Sequence, residues 1–358
     1  MLLTTAETDQ SDIGIPVFDL EPFLKDPAAC KKACKSMASE LETKGVVIVK
    51  DPRVDHSEND TFMDMMEKYF EMSDEEKDKD VRADLFFQVG RTPKNTEKAR
   101  VHCERIKNYP PDQAPLTECP PEADPKERWF HPIGERPAPG ESKYKALNAD
   151  AVIPEKFGRW KEVMDRWGNL ILGTVQSVAQ MAALGFDLDQ NAFTDLMHKG
   201  AHLLAPTGSD MTKLDPSKAG QVFASFHYDL NFITIHGRSR FPGLFVWTRD
   251  GRKVLVKVPQ GCLLLQAGKQ FEWVTGGKVL AGFHEVVVVP ETLKAIEERK
   301  KEGLSLWRIS STLFAAVNSD KKLEIFPPFK TEEAVAAYPP IDAGEQVQQE
   351  LKAIGLAV

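Results

Sequence analysis

Phe223-Ala224-Ser225-Phe226-His227-Tyr228-Asp229 is an apolar, strand-prone run that ends on an imidazole and a carboxylate. Residues two apart on a strand point to the same face, so His227 and Asp229 can grip one ion from a rigid element. A third donor, His284, sits in Gly282-Phe283-His284-Glu285-Val286, several strand lengths further on. Two imidazoles and one carboxylate are the set that holds ferrous iron on one face and leaves the opposite positions open. A His-x-Asp pattern by itself is weak, because such a pair occurs in many proteins that bind no metal. The surroundings favour ligation: His284 lies in a β-branched run, where a buried imidazole is costly unless bonded or ligated.

Around this run the C-terminal half is rich in short β-prone segments. They fall at 223–226, 231–235, 243–248, 254–258, 262–266, 278–280, 285–289 and 307–317, separated by turns such as Arg249-Asp250-Gly251-Arg252 and Pro259-Gln260-Gly261. Many short strands at close spacing predict a sandwich or jelly roll. The N-terminal part is mixed. Strands are expected at 15–20 and 46–49, and helices at 26–43, from 57 or 59 to 72, and from 73. The long helix is expected over 154–184, another over 291–301 closed by Gly303, and an amphipathic one near 345–354. Residues 80–150 have little periodicity and many prolines and charges; connections of that length are usually functional or disordered. Their aromatics Phe86, Phe87, Trp129 and Phe130 argue for order. The chain divides into residues 1–150 and 151–358, the second forming one structural unit.

The 358 residues are 42% hydrophobic and 28% charged, with a formal net charge of −8. That excess of acid argues against nucleic acid or an anionic membrane as partner. No apolar run approaches the roughly 20 residues of a membrane span, and residues 1–12 show no leader pattern. A cytoplasmic monomer acting on a small molecule is expected. The five cysteines are scattered and odd in number, which predicts reduced, structural thiols.

Arg308-Ile309-Ser310 is the second chemical feature. Alternation puts Arg308 and Ser310 on one face of a strand, and a guanidinium with a neighbouring hydroxyl is a fork for a carboxylate. The other reading is a buried arginine satisfied by an acid of the protein itself.

The ordered series of motifs is more specific than any one of them. Ile15-Pro16-Val17-Phe18-Asp19-Leu20 comes first, then the strand after Gly45, then Phe226-His227-Tyr228-Asp229 with Thr234. Pro242-Gly243-Leu244-Phe245-Val246, Val258-Pro259-Gln260-Gly261, Gln266-Ala267-Gly268 and Trp273-Val274-Thr275-Gly276-Gly277 lead to His284, and Tyr338-Pro339-Pro340-Ile341 with Gly344-Glu345 closes the chain. In this order the chain resembles the iron(II)- and 2-oxoglutarate-dependent dioxygenases of the isopenicillin N synthase-like superfamily, over nearly its whole length and most weakly between 80 and 150. The resemblance implies an α+β protein: a double-stranded β-helix (jelly-roll) core, an N-terminal α/β region and flanking helices. It implies that His227, Asp229 and His284 hold Fe(II), and that Arg308 and Ser310 clamp the distal carboxylate of 2-oxoglutarate. The implied reaction consumes O2 and 2-oxoglutarate, releases succinate and CO2, and hydroxylates, desaturates or cyclises a small molecule, as in secondary metabolism, with ascorbate as a possible reductant.

Two departures stand out. Arg308 falls further beyond His284 than the family spacing implies, with the charged helix at 291–301 between them as an insertion. Arg299 is the competing arginine, but it lies in the charge run Glu297-Glu298-Arg299-Lys300-Lys301, the pattern of a solvated face. The segment His202-Leu203-Leu204-Ala205-Pro206 lacks the tyrosine the resemblance implies there; His202 takes a polar role beside the cosubstrate or is a structural histidine. The prime substrate is expected under residues 80–150, where Arg82, Arg91, Lys94, Lys98 and Arg100 suggest a carboxylate-bearing molecule or merely a solvated loop. Tyr228, Asn231, Arg91, Arg100, Trp129 and Phe130 are the candidate substrate contacts. Two other readings stay open: an iron oxidase of this fold that does not use 2-oxoglutarate, and a non-catalytic jelly roll that binds a small molecule.

Overall fold

Period-two alternation decides which way each side chain of the central strands points. On Thr312–Ala315, Leu313 and Ala315 enter the main core, whereas Thr312 and Phe314 face a cavity. On Glu127–Pro132, Trp129 goes to the core while Arg128 and Phe130 face the cavity. The computed structural model describes residues 14–215 and 219–357; the stretch 1–12, on which the leader reading rests, lies outside the described residues.

Two sheets carry the fold, as expected for an α+β protein with a jelly-roll core. The larger runs Val17–Asp19, Val46–Lys50, Leu263–Ala267, Ile233–His236, Thr312–Ala315, Leu203–Leu204, Glu127–Pro132, Thr207–Asp210, Trp307–Ile309, with Gly90–Thr92 paired to Glu127–Pro132. Its strands come from both sides of residue 150. The smaller sheet runs Lys253–Leu255, Leu244–Trp247, Phe283–Val287, Val222–Tyr228. Helix Trp160–Gly185 packs along Lys31–Lys44 and covers the outer face of the large sheet. The two helices meet closely at Gly185, where a Cβ would lie 2.2 Å from the carbonyl oxygen of Cys34. Among the described residues no helix is long and apolar enough to cross a membrane.

Several expectations are corrected. The long helix begins at Trp160, because the stretch from Pro154 forms turns first. Residues 278–280 form no strand; Gly276 and Gly277, at φ 56° and 79°, turn the chain there. The run 307–317 breaks into Trp307–Ile309 and Thr312–Ala315, which pair with different strands. At the break the Ser311 hydroxyl accepts the Trp167 indole N–H at 2.8 Å. The intervening helix, Pro290–Glu302, ends at Gly303 in the left-handed region and buries Ile296 against Met211, Phe223 and Phe241. Nor are all five cysteines reduced: Cys103 and Cys119 form a disulfide, while Cys30, Cys34 and Cys262 are free.

Two expected substrate contacts turn out to be structural. Trp129 is fully buried among Tyr69 and Trp160, with ring centroids 4.9 and 4.7 Å away. Arg91 is also buried, and its guanidinium is consumed by acids. Its Nε donates to Glu127 at 2.8 Å and Nη2 to Asp74 at 2.7 Å, and Nη1 pairs with Asp78. Glu127 in turn accepts from the buried Lys77 ammonium at 2.8 Å. Breaking such a pair strands a buried charge, which costs about 3–5 kcal/mol. Arg91→Met is therefore expected to lower unfolding stability by about 3 kcal/mol, measured from urea transitions; an unchanged midpoint would contradict the structural role.

Candidate metal centre

The two candidate ligand histidines are brought together by strand register. His284 on Phe283–Val287 pairs directly with His227 on Val222–Tyr228, and their rings lie 4.2 Å apart. Asp229 follows at the strand end. Its Oδ1 stands 3.8 Å from the Nε2 of each histidine, and one donor atom from each of the three lies within 4.8 Å of the others.

Neighbouring groups aim these donors. His227 Nδ1 is 2.6 Å from the Ser225 carbonyl, and His284 Nδ1 is 3.3 Å from that of Gly282. A proton on each Nδ1 donates to those carbonyls and leaves each Nε2 with a free lone pair. The Thr234 hydroxyl donates to Asp229 Oδ2 at 2.6 Å, leaving Oδ1 for the shared point. Burial pushes His227 down to about 4, helped by His284 and Lys126, so the imidazole is neutral. Burial opposes ionisation of Asp229, but the two histidines and Thr234 outweigh it and hold the carboxyl below its ordinary value. The donor set thus suits a divalent cation that takes two neutral nitrogens and one carboxylate oxygen.

The triad opens on a cavity of about 180 Å³ that Arg308 and Ser310 also line. Arg308 is buried, and its Nε has no hydrogen-bond partner among the described residues. No acid among them stands against it; burial alone lowers the guanidinium to about 10. Ser310 Oγ accepts the Thr207 N–H at 3.0 Å, and Thr207, Ser209 and Thr312 line the same cavity. Arg299, the competing candidate, is spent elsewhere: it donates to Glu67 at 3.0 Å and to the Ser305 carbonyl at 2.7 Å.

Other expected contacts divide. His202 does not line the cavity. It is buried behind the sheet, where Nδ1 accepts the Ala316 N–H at 3.1 Å, so it is the structural histidine. Tyr228, Asn231, Arg100 and Phe130 do line the cavity. Asn231 also braces the loop that carries Asp229, donating to the Ala315 carbonyl at 3.2 Å, with its Oδ1 3.2 Å from the Thr234 hydroxyl oxygen. Arg100 donates to both Glu350 oxygens at 3.0 Å and to the Tyr228 hydroxyl at 3.1 Å.

Sequence reasoning missed three contributors. His236 lies beside Arg308 in the cavity wall, 3.1 Å from both Thr312 Oγ1 and Gln266 Oε1. Burial, then His284, pushes it down to about 4. Its signal was the alternation Ile233-Thr234-Ile235-His236, which puts it on the Thr234 face. The second contributor is the cluster Glu97, Asp124, Lys126 and Arg128. The third is the helix Ala343–Ala353, whose Val347, Glu350 and Leu351 wall the far side.

Residues 15–132 match the family model of the N-terminal region of non-haem dioxygenases in morphine synthesis. The 2-oxoglutarate-dependent dioxygenase phqC of Penicillium fellutanum is 29% identical over 128 residues, a match spanning 35% of each chain. The chain thus spans about a third of the length of that relative. Among solved structures, a 2OG-Fe(II) oxygenase family protein of Caulobacter crescentus superposes with TM-score 0.74 at 23% identity, covering 96% of this chain and 99% of that one. A full-length Neurospora crassa protein solved in complex with alpha-KG gives TM-score 0.72 at 19% identity, covering 95% and 96%. Over residues 15–132 the chain carries the N-terminal region of the non-haem dioxygenases, and over nearly its whole length it has the fold of solved 2OG-Fe(II) oxygenases.

Proposed function

We propose that the protein is a 2-oxoglutarate-dependent, non-haem iron oxygenase that oxidises a small molecule by hydroxylation, desaturation or cyclisation. His227, Asp229 and His284 hold Fe(II) through Nε2, Oδ1 and Nε2. Arg308 and Ser310 receive the distal carboxylate of 2-oxoglutarate. The single observation that carries this reading is the Arg308 guanidinium, buried in the wall of the triad's own cavity with no acid among the described residues against it. An unpaired buried cation is costly and is stabilised by an arriving anion. The solved complex of the Neurospora protein with alpha-KG supports the choice of anion.

Bound iron and 2-oxoglutarate would supply the oxidising chemistry, with O2 as oxidant, succinate and CO2 as products and ascorbate as a reductant. The protein's own share is positional. Ser225 and Gly282 orient the imidazoles, Thr234 orients the carboxylate, and the apolar walls keep water from the oxidising centre. Residues 80–150 and the C-terminal helix would cover the substrate, while 151–358 supplies the ligands and the clamp. On this reading the protein works as a cytoplasmic monomer.

His227→Ala or His284→Ala is expected to abolish Mn(II) binding by calorimetry. Thr234→Val keeps the shape but removes the hydroxyl, and is expected to weaken it about 10–100-fold. Wild-type affinity in either histidine variant would refute the ligand assignment.

Arg308→Met is expected to weaken 2-oxoglutarate binding at least tenfold, since hydrogen bonds to charged groups are worth about 1.5–3 kcal/mol. Anaerobic addition of Fe(II) and 2-oxoglutarate to the wild type should give a weak visible charge-transfer band, and air should then release succinate. Loss of neither binding nor band in Arg308→Met would move the cosubstrate elsewhere; no band and no succinate in the wild type would favour the oxidase or the non-catalytic reading.

A further inference from the structure

Apart from the proposed metal ligands, the cavity wall carries, among the described residues, four cations and three acids: Arg100, Lys126, Arg128 and Arg308 against Glu97, Asp124 and Glu350. All but Arg308 are paired with one another. Arg100 holds both oxygens of Glu350 at 3.0 Å. Lys126 holds Asp124 at 2.5 Å and Glu97 at 3.2 Å, and Arg128 pairs with Glu97. The inner cluster is well sheltered: the side chains of Asp124, Lys126, Arg128 and Glu97 are 3%, 7%, 10% and 13% exposed. A substrate carboxylate would have to take Arg128 from Glu97, leaving that acid to Lys126, or Arg100 from Glu350, leaving it to the Tyr228 hydroxyl, and a substrate ammonium would find each acid of the described wall already paired. Either exchange breaks a sheltered ion pair and disfavours a charged substrate.

Besides Arg308, two residues of the described wall carry a buried polar nitrogen without a hydrogen-bond partner, His102 at Nε2 and Arg128 at Nε, and of these only Arg128 is a fixed donor. Among the described residues Glu97 is the only ion partner of Arg128, and the Arg128 Nε is buried without a hydrogen-bond partner. The guanidinium lies over Phe130, 4.2 Å from its centroid, which restrains its position. Both side chains come from the cavity face of Glu127–Pro132. Around them the wall is apolar: Leu147, Leu203, Phe314, Val347 and Leu351.

We propose that the prime substrate is an uncharged, largely apolar molecule that offers a hydrogen-bond acceptor, such as an amide, lactam or ester carbonyl, to Arg128. This rests on the oxygenase reading above, in which Arg308 serves the cosubstrate. It replaces the carboxylate-bearing substrate suggested by the basic residues of 80–150: Arg91 is consumed by acids, Lys94 pairs with Asp74, and Arg100 pairs with Glu350.

The test uses the full chain loaded with Mn(II) and 2-oxoglutarate without oxygen, at about neutral pH, where carboxylic acids are ionised. Phenylacetate, 4-phenylbutyrate and decanoate are each titrated beside the matching primary amide, with binding read by calorimetry. At least one amide is expected to bind tenfold or more tightly than its acid. Arg128→Met should remove that preference and Arg128→Lys restore part of it, with 2-oxoglutarate binding retained in both variants. Tighter binding of the acids, or no binding by any amide, overturns the proposal. So does loss of 2-oxoglutarate binding in Arg128→Met, which would make the residue a structural support. If the wild type fails to bind 2-oxoglutarate, the oxygenase reading itself falls; if it binds 2-oxoglutarate but prefers the acids, only the neutral-substrate inference falls.

Discussion

The antiparallel register that sets His284 opposite His227 is the constraint on which the site depends. Side chains alternate along a strand, so a slip of one residue would send one imidazole to the other face. The register is fixed on both sides of the Phe283–Val287 strand, because it also pairs with Leu244–Trp247. Asp229 lies just past the last paired residue, where no ladder holds it. A second contact takes over: Gly268 and Lys269 donate their backbone N–H groups to the carbonyls of Phe232 and Asp229, at 2.9 and 2.8 Å. Only glycine permits this approach, since a Cβ at Gly268 would lie 2.1 Å from the Asn231 carbonyl oxygen. The Gln266-Ala267-Gly268 motif is thus a backbone clamp on Asp229, the third member of the candidate triad.

Charge is managed by pairing, and the exception is informative. Arg91 and Lys77 are paired with Glu127, Asp74 and Asp78 under the sheet, and Lys126 and Arg128 with Glu97 and Asp124 beside the triad. In both places the desolvation of ions is offset within the protein. Arg308 is left without such a partner among the described residues, and the hydroxyls nearby are neutral. Stability alone would favour an apolar side chain there. A cation kept at that cost is what the proposed role of Arg308, receiving an anion in the cavity, would require.

The convergence of His227, Asp229 and His284, and of Arg308 and Ser310 on the same cavity, was legible because each group is short-range in one direction and strictly spaced. His227 and Asp229 share a strand face, and Arg308 and Ser310 flank one residue. The helical insertion lengthened the path to Arg308 but left its apolar strand recognisable. The cavity walls were less legible, for a physical reason. Arg91 and Arg128 both sit in proline-rich, charged surroundings, and only the position of their partners separates a structural cation from one that faces a ligand. Strand parity gave a partial clue: Arg128 and Phe130 share one face, and Trp129 takes the other. The amphipathic pattern of 345–354 said that one side is buried but not that it is buried against the cavity. His202, beside a two-residue strand, had no alternation from which to read its face.

Residues 80–150 have a role that low periodicity conceals. Val222–Tyr228, which carries the first ligand, is an edge strand of the small sheet, and an edge exposes unpaired backbone groups. The covering segment supplies the missing partners from side chains. Asp124 accepts the Ser225 N–H at 3.1 Å and its hydroxyl at 2.7 Å, and the Thr117 hydroxyl accepts the Phe226 N–H at 2.6 Å. Thr117 also donates to Glu285, the residue after His284, from its N–H and hydroxyl at 2.6 Å. One threonine therefore joins the two ligand strands, and the same segment places Arg100, Lys126 and Arg128 in the cavity wall. Such bonds need particular polar side chains at irregular positions, which no helical or strand period would supply. The cavity wall and the scaffold that aims the candidate triad are one piece, so substitutions in 80–150 that reshape the cavity have to leave Thr117 and Asp124 in place.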